Sequence, residues 1–307
     1  MIRTRVSALF VAGLASSALL LGACGSDTLS SSGGGNSSEP RESVASTVTV
    51  TADPALQAAL PQKIKDAGKI VVGTDPSYAP NEFFGEDGKT PIGMDIDLFN
   101  AVAQQFGVEV EWQASGFDQI ILGVDSGKYD VGISSFSVTE ERKQQVTMVS
   151  YFTAGSLWVT QTGNPKKVDP DDACGKTVAV QTGTIQLDDL NARSKKCTAD
   201  GKPAINLLPS QKQTDVTTAV VSGKADAMAA DSPVALYAIQ QNQDALEELG
   251  QTYDSAPYGY VLPKDETAFA QALATALEKT KANGEYTRVL NNWNQSTGAL
   301  VEFQVNP

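Results

Sequence analysis

The chain has 307 residues, of which 41% are hydrophobic, and this is enough for one large or two medium-sized globular domains. Its net charge of −13 argues against nucleic-acid binding and against electrostatic docking on anionic lipid. Because the sequence contains no histidine, it cannot form a Ser-His-Asp or Cys-His catalytic centre or a histidine-ligated zinc site.

The first 23 residues have the pattern of a cleaved export signal. The basic segment "MIRTRV" precedes the apolar run "SALFVAGLASSALLLGA", and the run leads into "LGAC", which ends at Cys24. This ending resembles a bacterial lipobox, in which the chain is cleaved before the cysteine and its sulfur receives diacylglycerol. We therefore predict a lipoprotein signal peptide over residues 1–23 and membrane anchoring through Cys24. The alternative is an ordinary secretory signal with an incidental cysteine.

A polar segment follows and predicts a flexible tether over residues 24–55. The stretch "GSDTLSSSGGGNSSEPRES" is too rich in serine, glycine and charge to bury an apolar core. Such a segment would hold a folded domain at a distance from the membrane. The predicted location is extracytoplasmic, at the bacterial cell membrane, with the lipid on Cys24 as the anchor.

The predicted extracytoplasmic location affects how the two remaining cysteines are interpreted. Cys174 and Cys197 are 23 positions apart, and an oxidising location with an even number of free cysteines favours a disulfide. The alternative is two unpaired buried thiols. Neither thiol is predicted to be catalytic, since no histidine is present to activate it.

From about Leu56 the chain alternates apolar runs with helical patterns, which indicates α/β architecture. The first cycle has predicted strands at "KIVVGTD", "VEVEW" and "YDVGIS" and predicted helices at "DIDLFNAVAQQFG" and "FDQIILGVDSG". A second cycle follows Pro165, with strands at "KTVAVQTGT" and "ADAMAAD" and helices at "QLDDLNARS", "SPVALYAIQQNQ" and "TAFAQALATALEKTKANG". We expect two α/β units of similar size, with the final segment returning to the first unit.

Four of the predicted strands run into polar residues at their carboxyl ends. These ends are Thr74-Asp75, Ser134-Ser135, Gln181 to Thr184, and Asp231-Ser232. Ligands of open α/β sheets lie beyond the carboxyl ends of the strands. Two such clusters in each unit predict one binding crevice between the units.

Most of these polar residues also have a structural explanation. Asp75 lies in the turn-like stretch "DPSYAP", and Asp231 before Ser-Pro is a conventional helix N-cap. Ser137 begins the capping-box pattern "SVTE", in which Thr139 could also cap. Arg142 has no such explanation, because a cation in the first turn of a helix opposes the helix dipole.

Taken together, six stretches resemble one family. They are "GTDPSYAPNEF", "GMDIDLFNAVAQQFG", "FDQIILGVDSGKYDVGISSFSVTEERKQQV", "VSYFTAG", "VAVQTGT" and "ADAMAADSPVALY". Their order and spacing resemble the polar amino-acid-binding proteins of ABC importers, the solute-binding protein family 3, from roughly Lys69 to Trp293. The resemblance implies a two-lobed "Venus flytrap" of the periplasmic-binding-protein type, with two crossing hinge strands near Leu157–Gln161 and Ser255–Tyr260. Lobe 1 would comprise residues 56–159 and 257–307, and lobe 2 residues 160–256.

The resemblance also implies which residues bind the ligand: Asp75, Tyr78, Phe117, Ser134, Ser135, Ser137, Arg142, Gln181, Thr184 and Asp231. Arg142 would form a bidentate pair with the α-carboxylate of an amino acid, a task for which the guanidinium fork is suited. Thr184 would donate to the same carboxylate, and Asp231 would bind the α-ammonium group.

Ser135 and Ser137, with local backbone groups, would share the carboxylate and ammonium groups, and Tyr78 and Phe117 would enclose the ligand's carbon chain. Asp75 would meet the distal end of the ligand side chain and would repel an acidic one. We therefore favour arginine, lysine or ornithine, followed by glutamine. Asn81 replaces an aromatic residue usual in the family, which predicts a thinner aromatic wall, and Gln181 lies where members differ with their ligand.

The predicted function is capture of a free L-amino acid by a monomeric lipoprotein that delivers it to the permease of an ABC importer. No cofactor, metal or nucleic acid is indicated. One alternative is a sensor that presents the same lobes to a receptor. Another is an enzyme like cyclohexadienyl dehydratase, with Asp75 or Glu82 as its acid, although an enzyme is not the favoured interpretation. The last is a structural lipoprotein without a ligand.

Overall fold

The computed structural model describes residues 50–307 together with Ser43 and Val48. The predicted signal peptide, Cys24 and most of the predicted tether lie outside the described residues. The strands are β1 Lys69–Thr74, β2 Ser77–Tyr78, β3 Glu82–Phe84, β4 Pro91–Ile92, β5 Glu109–Ala114, β6 Val131–Gly132, β7 Thr147–Gln161, β8 Thr177–Gln181, β9 Asn206–Ser210, β10 Ala227–Asp231 and β11 Leu246–Leu262. The helices are α1 Pro54–Ala59, α2 Gln62–Ala67, α3 Met94–Phe106, α4 Phe117–Asp125, α5 Glu140–Gln145, α6 Ile185–Ala199, α7 Gln213–Val221, α8 Ser232–Gln241, α9 Thr267–Ala282 and α10 Glu285–Asn292. Two short 3-10 helices span Pro170–Asp172 and Ser296–Gly298.

The main sheet has eight strands in the order β5-β1-β6-β11-β7-β10-β8-β9. Strand β1 is parallel to β5 and β6, and β8 is parallel to β9 and β10, so each end of the sheet is a small parallel unit. The long strands β7 and β11 run antiparallel to each other between these units. They join the two units through hydrogen bonds, and a separate three-stranded sheet contains β2, β3 and β4.

Two lobes are distinguished by their buried cores. The core of lobe 1 packs α3, α9 and α10 against β1, with the aromatic residues Phe99, Phe269 and Trp293 at its centre. Lobe 2 has two smaller cores, one on each face of its part of the sheet. Along β7 the side chains change from the first core to the second between Phe152 and Leu157, which marks where the chain crosses between lobes.

The folded part begins slightly before the predicted boundary at Leu56. Helix α1 begins at Pro54, and the Asp53 carboxylate caps it by accepting a hydrogen bond of 2.7 Å from the backbone N–H of Ala55. Asp53 also forms an ion pair of 2.9 Å with Lys279 of α9, which fastens the start of the domain to lobe 1. Helix α1 therefore includes the last two residues, 54 and 55, of the segment predicted to be a tether.

The predicted disulfide between Cys174 and Cys197 is present. It joins the segment before β8 to helix α6 within lobe 2. In the part of the chain from residue 50 onward, no helix combines the length and the apolar character needed to cross a membrane.

Candidate ligand-binding site

A small cavity of about 10 Å³ lies between the lobes. Its walls are Tyr78, Phe117, Ser135, Ser137 and Arg142 from lobe 1 and Thr184, Ile185, Gln186 and Asp231 from lobe 2. Seven of the ten residues singled out from the sequence line it, and Asp75, Ser134 and Gln181 do not. Gln186 was not predicted, because a glutamine one position inside a helix carries no signal of function.

Arg142 enters the cavity from the first turn of α5. The helix is capped by Thr139, whose Oγ1 accepts a hydrogen bond of 3.2 Å from the Arg142 backbone N–H, so Ser137 is not the cap. The guanidinium donates Nη1–H to the Ser137 carbonyl at 2.8 Å and Nη2–H across the cleft to the Gly183 carbonyl at 3.1 Å.

The other guanidinium N–H groups have no hydrogen-bond acceptor among the described residues and can donate to an anion. The guanidinium carbon lies 5.7 Å from the Phe117 ring and 5.4 Å from the Phe136 ring, and these two rings stack on each other. Burial lowers the pKa of Arg142, and the negative charge of Asp231 acts in the opposite direction. A guanidinium with such a high intrinsic pKa stays charged, so the cavity carries a fixed positive group.

Asp231 supplies the opposing negative group. It occupies the N-cap position of α8, but its side chain makes no capping hydrogen bond. The carboxylate instead accepts from the Tyr78 hydroxyl at 2.9 Å and from Gln186 Nε2 at 2.7 Å. Burial raises the pKa of Asp231, and the hydrogen bonds from Tyr78 and Gln186 and the charge of Arg142 oppose this rise. A carboxylate held in this way can accept a hydrogen bond from an ammonium group.

Thr184 begins helix α6 at the edge of the cavity. Its hydroxyl donates to the Gln181 carbonyl at 2.8 Å and accepts from the Leu187 N–H at 3.3 Å, so both interactions serve the cap of the helix. The donors that this helix start offers to an anion are therefore backbone N–H groups, which bind carboxylates readily at helix N-termini.

Asp75 and Gln181 face each other at a second point of contact between the lobes. The Asp75 carboxylate, 4% exposed, accepts a hydrogen bond of 2.7 Å from Gln181 Nε2. Gln181 Oε1 is buried and has no hydrogen-bond donor among the described residues. Burial raises the pKa of Asp75, and hydrogen bonds from Ser77 and Gln181 oppose the rise. The charge of Lys212 also opposes the rise. The pair thus offers one buried acceptor without a donor, Gln181 Oε1, beside the Asp75 carboxylate.

Two residues do not lie where the sequence suggested. The Ser134 hydroxyl is directed away from the cavity, because it donates to Glu82 Oε1 at 2.8 Å and accepts from the Asp75 backbone N–H at 3.1 Å. Asn81 is fully buried and donates from Nδ2 to Ser135 Oγ at 2.9 Å. Since Asn81 lies behind the cavity wall and not in it, its identity does not thin the wall.

Residues 70–296 match the model of the bacterial extracellular solute-binding proteins, family 3. The chain belongs to this family. The arginine-binding protein ArgT of Corynebacterium glutamicum is 35% identical to it over 254 residues, which cover 82% of this chain and 83% of that protein. The resemblance found in the sequence and the predicted fold class are therefore confirmed.

Solved structures extend this similarity. An ancestral arginine-binding protein bound to arginine matches this family 3 protein with a TM-score of 0.69 and 32% identity, over 74% of this chain and 98% of that chain. The ancestral amino acid-binding protein AncCDT-1, a precursor of cyclohexadienyl dehydratase, matches with a TM-score of 0.68 and 29% identity, over 75% of this chain and 97% of that chain. These similar proteins are named as binding proteins, and both structures share the two-lobed fold.

Proposed function

We propose that this chain is an extracytoplasmic lipoprotein that binds a free basic amino acid, with arginine preferred, between its lobes and delivers it to an ABC importer. Arg142 and the amides at the start of α6 receive the α-carboxylate. Asp231 receives the α-ammonium group, and Tyr78 and Phe117 enclose the aliphatic part of the ligand.

The observation that carries the preference for arginine is the pairing of Asp75 with Gln181. A buried carboxylate is costly unless a cation or several donors neutralise it. Asp75 is buried, and Gln181 Oε1 beside it lacks a donor among the described residues. A guanidinium has five N–H donors in one plane and can serve two acceptors at once, whereas an ammonium group is a point charge. The name of the ArgT relative is consistent with this preference.

Isothermal titration calorimetry of protein lacking residues 1–24 tests the proposal. Arginine, lysine, ornithine, glutamine and glutamate are titrated into the wild-type protein and into Arg142→Ala. We expect arginine to bind most tightly and glutamate to bind weakly or not at all, and we expect the mutation to abolish binding of every ligand. If glutamate binds most tightly, the preference for a basic ligand is wrong; if binding survives the mutation, Arg142 does not hold the α-carboxylate.

The enzyme alternative has one observation in its favour, the similarity to AncCDT-1. Glu82, a candidate acid for such chemistry, is fully buried, and its Oε1 accepts the Ser134 hydroxyl behind the cavity wall. An acid that cannot reach the substrate cannot protonate it. Glu82 is therefore not such an acid, and the other candidate, Asp75, pairs with the ligand side chain in the proposed function. We expect no turnover of arogenate or prephenate, which a direct product assay would measure.

A further inference from the structure

Two carboxyl groups lie against each other behind the ligand cavity in lobe 1. Glu82 and Asp95 are both fully buried, and Ser135 Oγ lies within hydrogen-bond distance of both, 3.3 Å from Glu82 Oε2 and 3.2 Å from Asp95 Oδ2. Within the described part of the chain, neither forms an ion pair with a lysine or an arginine. Two adjacent carboxylates cannot both be ionised in such a place without a cation, so the pair must hold a proton.

The surrounding donors indicate which carboxyl holds the proton. Asp95 Oδ2 accepts hydrogen bonds from the Ser135 N–H at 3.1 Å and from the Tyr151 hydroxyl at 2.5 Å. Asp95 also lies in the first turn of α3, where the helix dipole favours a negative charge. Its other oxygen, Oδ1, is buried and accepts no hydrogen bond from the described residues. Asp95 is therefore the anion and Glu82 the acid.

The pKa directions agree with this assignment. Burial, followed by the charge of Asp95, raises the pKa of Glu82 well above its usual value, and burial raises the pKa of Asp95 to about 6. The other titratable groups that interact with the pair are Asp75, Tyr78, Tyr151 and Tyr260. All of them are acids, and none neutralises the pair.

The pair is connected to the cavity through Ser135. This residue has a φ of 54°, in the left-handed region that residues other than glycine rarely adopt, and it lines the cavity. Both of its donors, the N–H and the hydroxyl, are within 3.2 Å of Asp95 Oδ2. Asn81 donates to the same hydroxyl at 2.9 Å. The strained backbone of Ser135 is therefore held from behind by Asp95.

Glu82 connects the same network to Asp75. Its Oε1 accepts the Ser134 hydroxyl, whose oxygen accepts the backbone N–H of Asp75. A change at the carboxyl pair would therefore disturb the wall beside Ser135 and the backbone of Asp75 together.

We propose that Glu82 and Asp95 form a proton-sharing pair of positioning residues. The pair holds Ser135 in its left-handed conformation and holds the backbone of Asp75 in place, and it thereby fixes the lobe 1 half of the ligand site. This inference rests on the proposed function, since it assigns the pair a role in ligand affinity. Neither residue touches the ligand in this arrangement.

The test compares two substitutions of one residue. Glu82→Gln retains an N–H donor for Asp95 and an acceptor for Ser134, whereas Glu82→Met has a similar size and offers neither. We expect Glu82→Gln to bind arginine within about threefold of wild type and Glu82→Met to bind it at least about tenfold more weakly, the effect of one buried unsatisfied group. Asp97→Asn is the matched control, because Asp97 is buried in the same turn of α3 but accepts from Trp293 at 2.8 Å. Its arginine affinity should equal that of wild type.

Infrared spectroscopy provides a readout that does not depend on the folding of Glu82→Met. At neutral pH the wild-type protein should show the carbonyl stretch of a protonated carboxylic acid, and Glu82→Gln should lose it. Absence of this band in wild type, or equal affinity losses in Glu82→Gln and Glu82→Met, would overturn the inference. It would also be overturned if Glu82→Met were folded and bound arginine like wild type, and in that case the proposed function would stand. If the wild-type protein binds no amino acid at all, the proposed function fails, and the role in affinity fails with it.

Discussion

Asp75 provides the most direct test of how the ligand side chain is recognised. Asp75→Asn removes the charge but keeps the size and one acceptor oxygen. Loss of one partner of a buried, hydrogen-bonded charge pair costs about 2–5 kcal/mol. Because Gln181 would still accept from the guanidinium, we expect the lower part of this range, about 2–3 kcal/mol or roughly 30- to 150-fold in arginine affinity. Citrulline, a neutral analogue of arginine, should change by less than about fivefold, since it has no charge to pair.

The pH dependence of the same two ligands provides a second readout. Burial raises the pKa of Asp75 in the free protein, and only the ionised carboxylate attracts a cation. Arginine affinity should therefore fall relative to citrulline affinity as the pH decreases toward that raised pKa, and the ratio should become independent of pH in Asp75→Asn. The ratio cancels contributions from Asp231, which meets the same ammonium group in both ligands. Equal losses of arginine and citrulline binding in Asp75→Asn, measured by calorimetry, would refute the role of Asp75.

Three further predictions concern other parts of the chain. Replacement of both Cys174 and Cys197 by serine should lower the free energy of unfolding by about 3 kcal/mol in urea titrations, because their separation is 23 residues, while arginine affinity stays within about threefold. Gly183→Ala should weaken arginine binding about tenfold, because Gly183 has a φ of 81° and an added Cβ would lie 3.0 Å from Cβ of Asp118 in the opposite lobe. Unchanged affinity would show that the close approach of Gly183 to Asp118 does not limit closure of the lobes. Cys24→Ala should move the protein from the membrane fraction to the soluble fraction in fractionated cells, and retention in the membrane would contradict lipid anchoring.

The alternation of strands and helices could be predicted because the hydrophobic residues of most elements recur with the clear period of a strand or a helix. Strand β1 and helices α3 and α9 match their predicted positions closely. Strand β9 and helix α7 were not predicted. The sequence "NLLPS" of β9 contains a proline, and "QTDVTTAVV" of α7 is rich in β-branched residues with low helix propensity. The packing of these elements against β8 overrides their weak local preference, and a single sequence does not reveal such packing.

The residues of the site were easier to predict than their orientations. Ser134 and Ser135 are neighbours, and both hydroxyls lie near Glu82 behind the wall, yet only Ser135 also lines the cavity. The sequence contains no sign that Ser135 would have a positive φ. Asp95 was overlooked because "GMDIDLF" has the pattern of an amphipathic helix, in which acidic residues of the first turn are usually explained by the helix dipole.

The cross-lobe hydrogen bonds explain why an amino acid would favour the arrangement in which the lobes meet. The charged groups of the site already have neutral partners in the opposite lobe: Gln181 for Asp75, Tyr78 for Asp231 and the Gly183 carbonyl for Arg142. These partners reduce the cost of burying three charges, but each is a dipole and not a counter-ion. A zwitterion with a cationic side chain replaces three dipoles by three opposite charges, and charge-assisted hydrogen bonds are about twice as strong as neutral ones. Binding would therefore be an exchange of partners, in which the net affinity is the difference between the two sets. Only a ligand that carries all three charges would form a stronger interaction at each of Asp75, Asp231 and Arg142. The lobes would therefore close on such a ligand in preference to neutral or acidic amino acids.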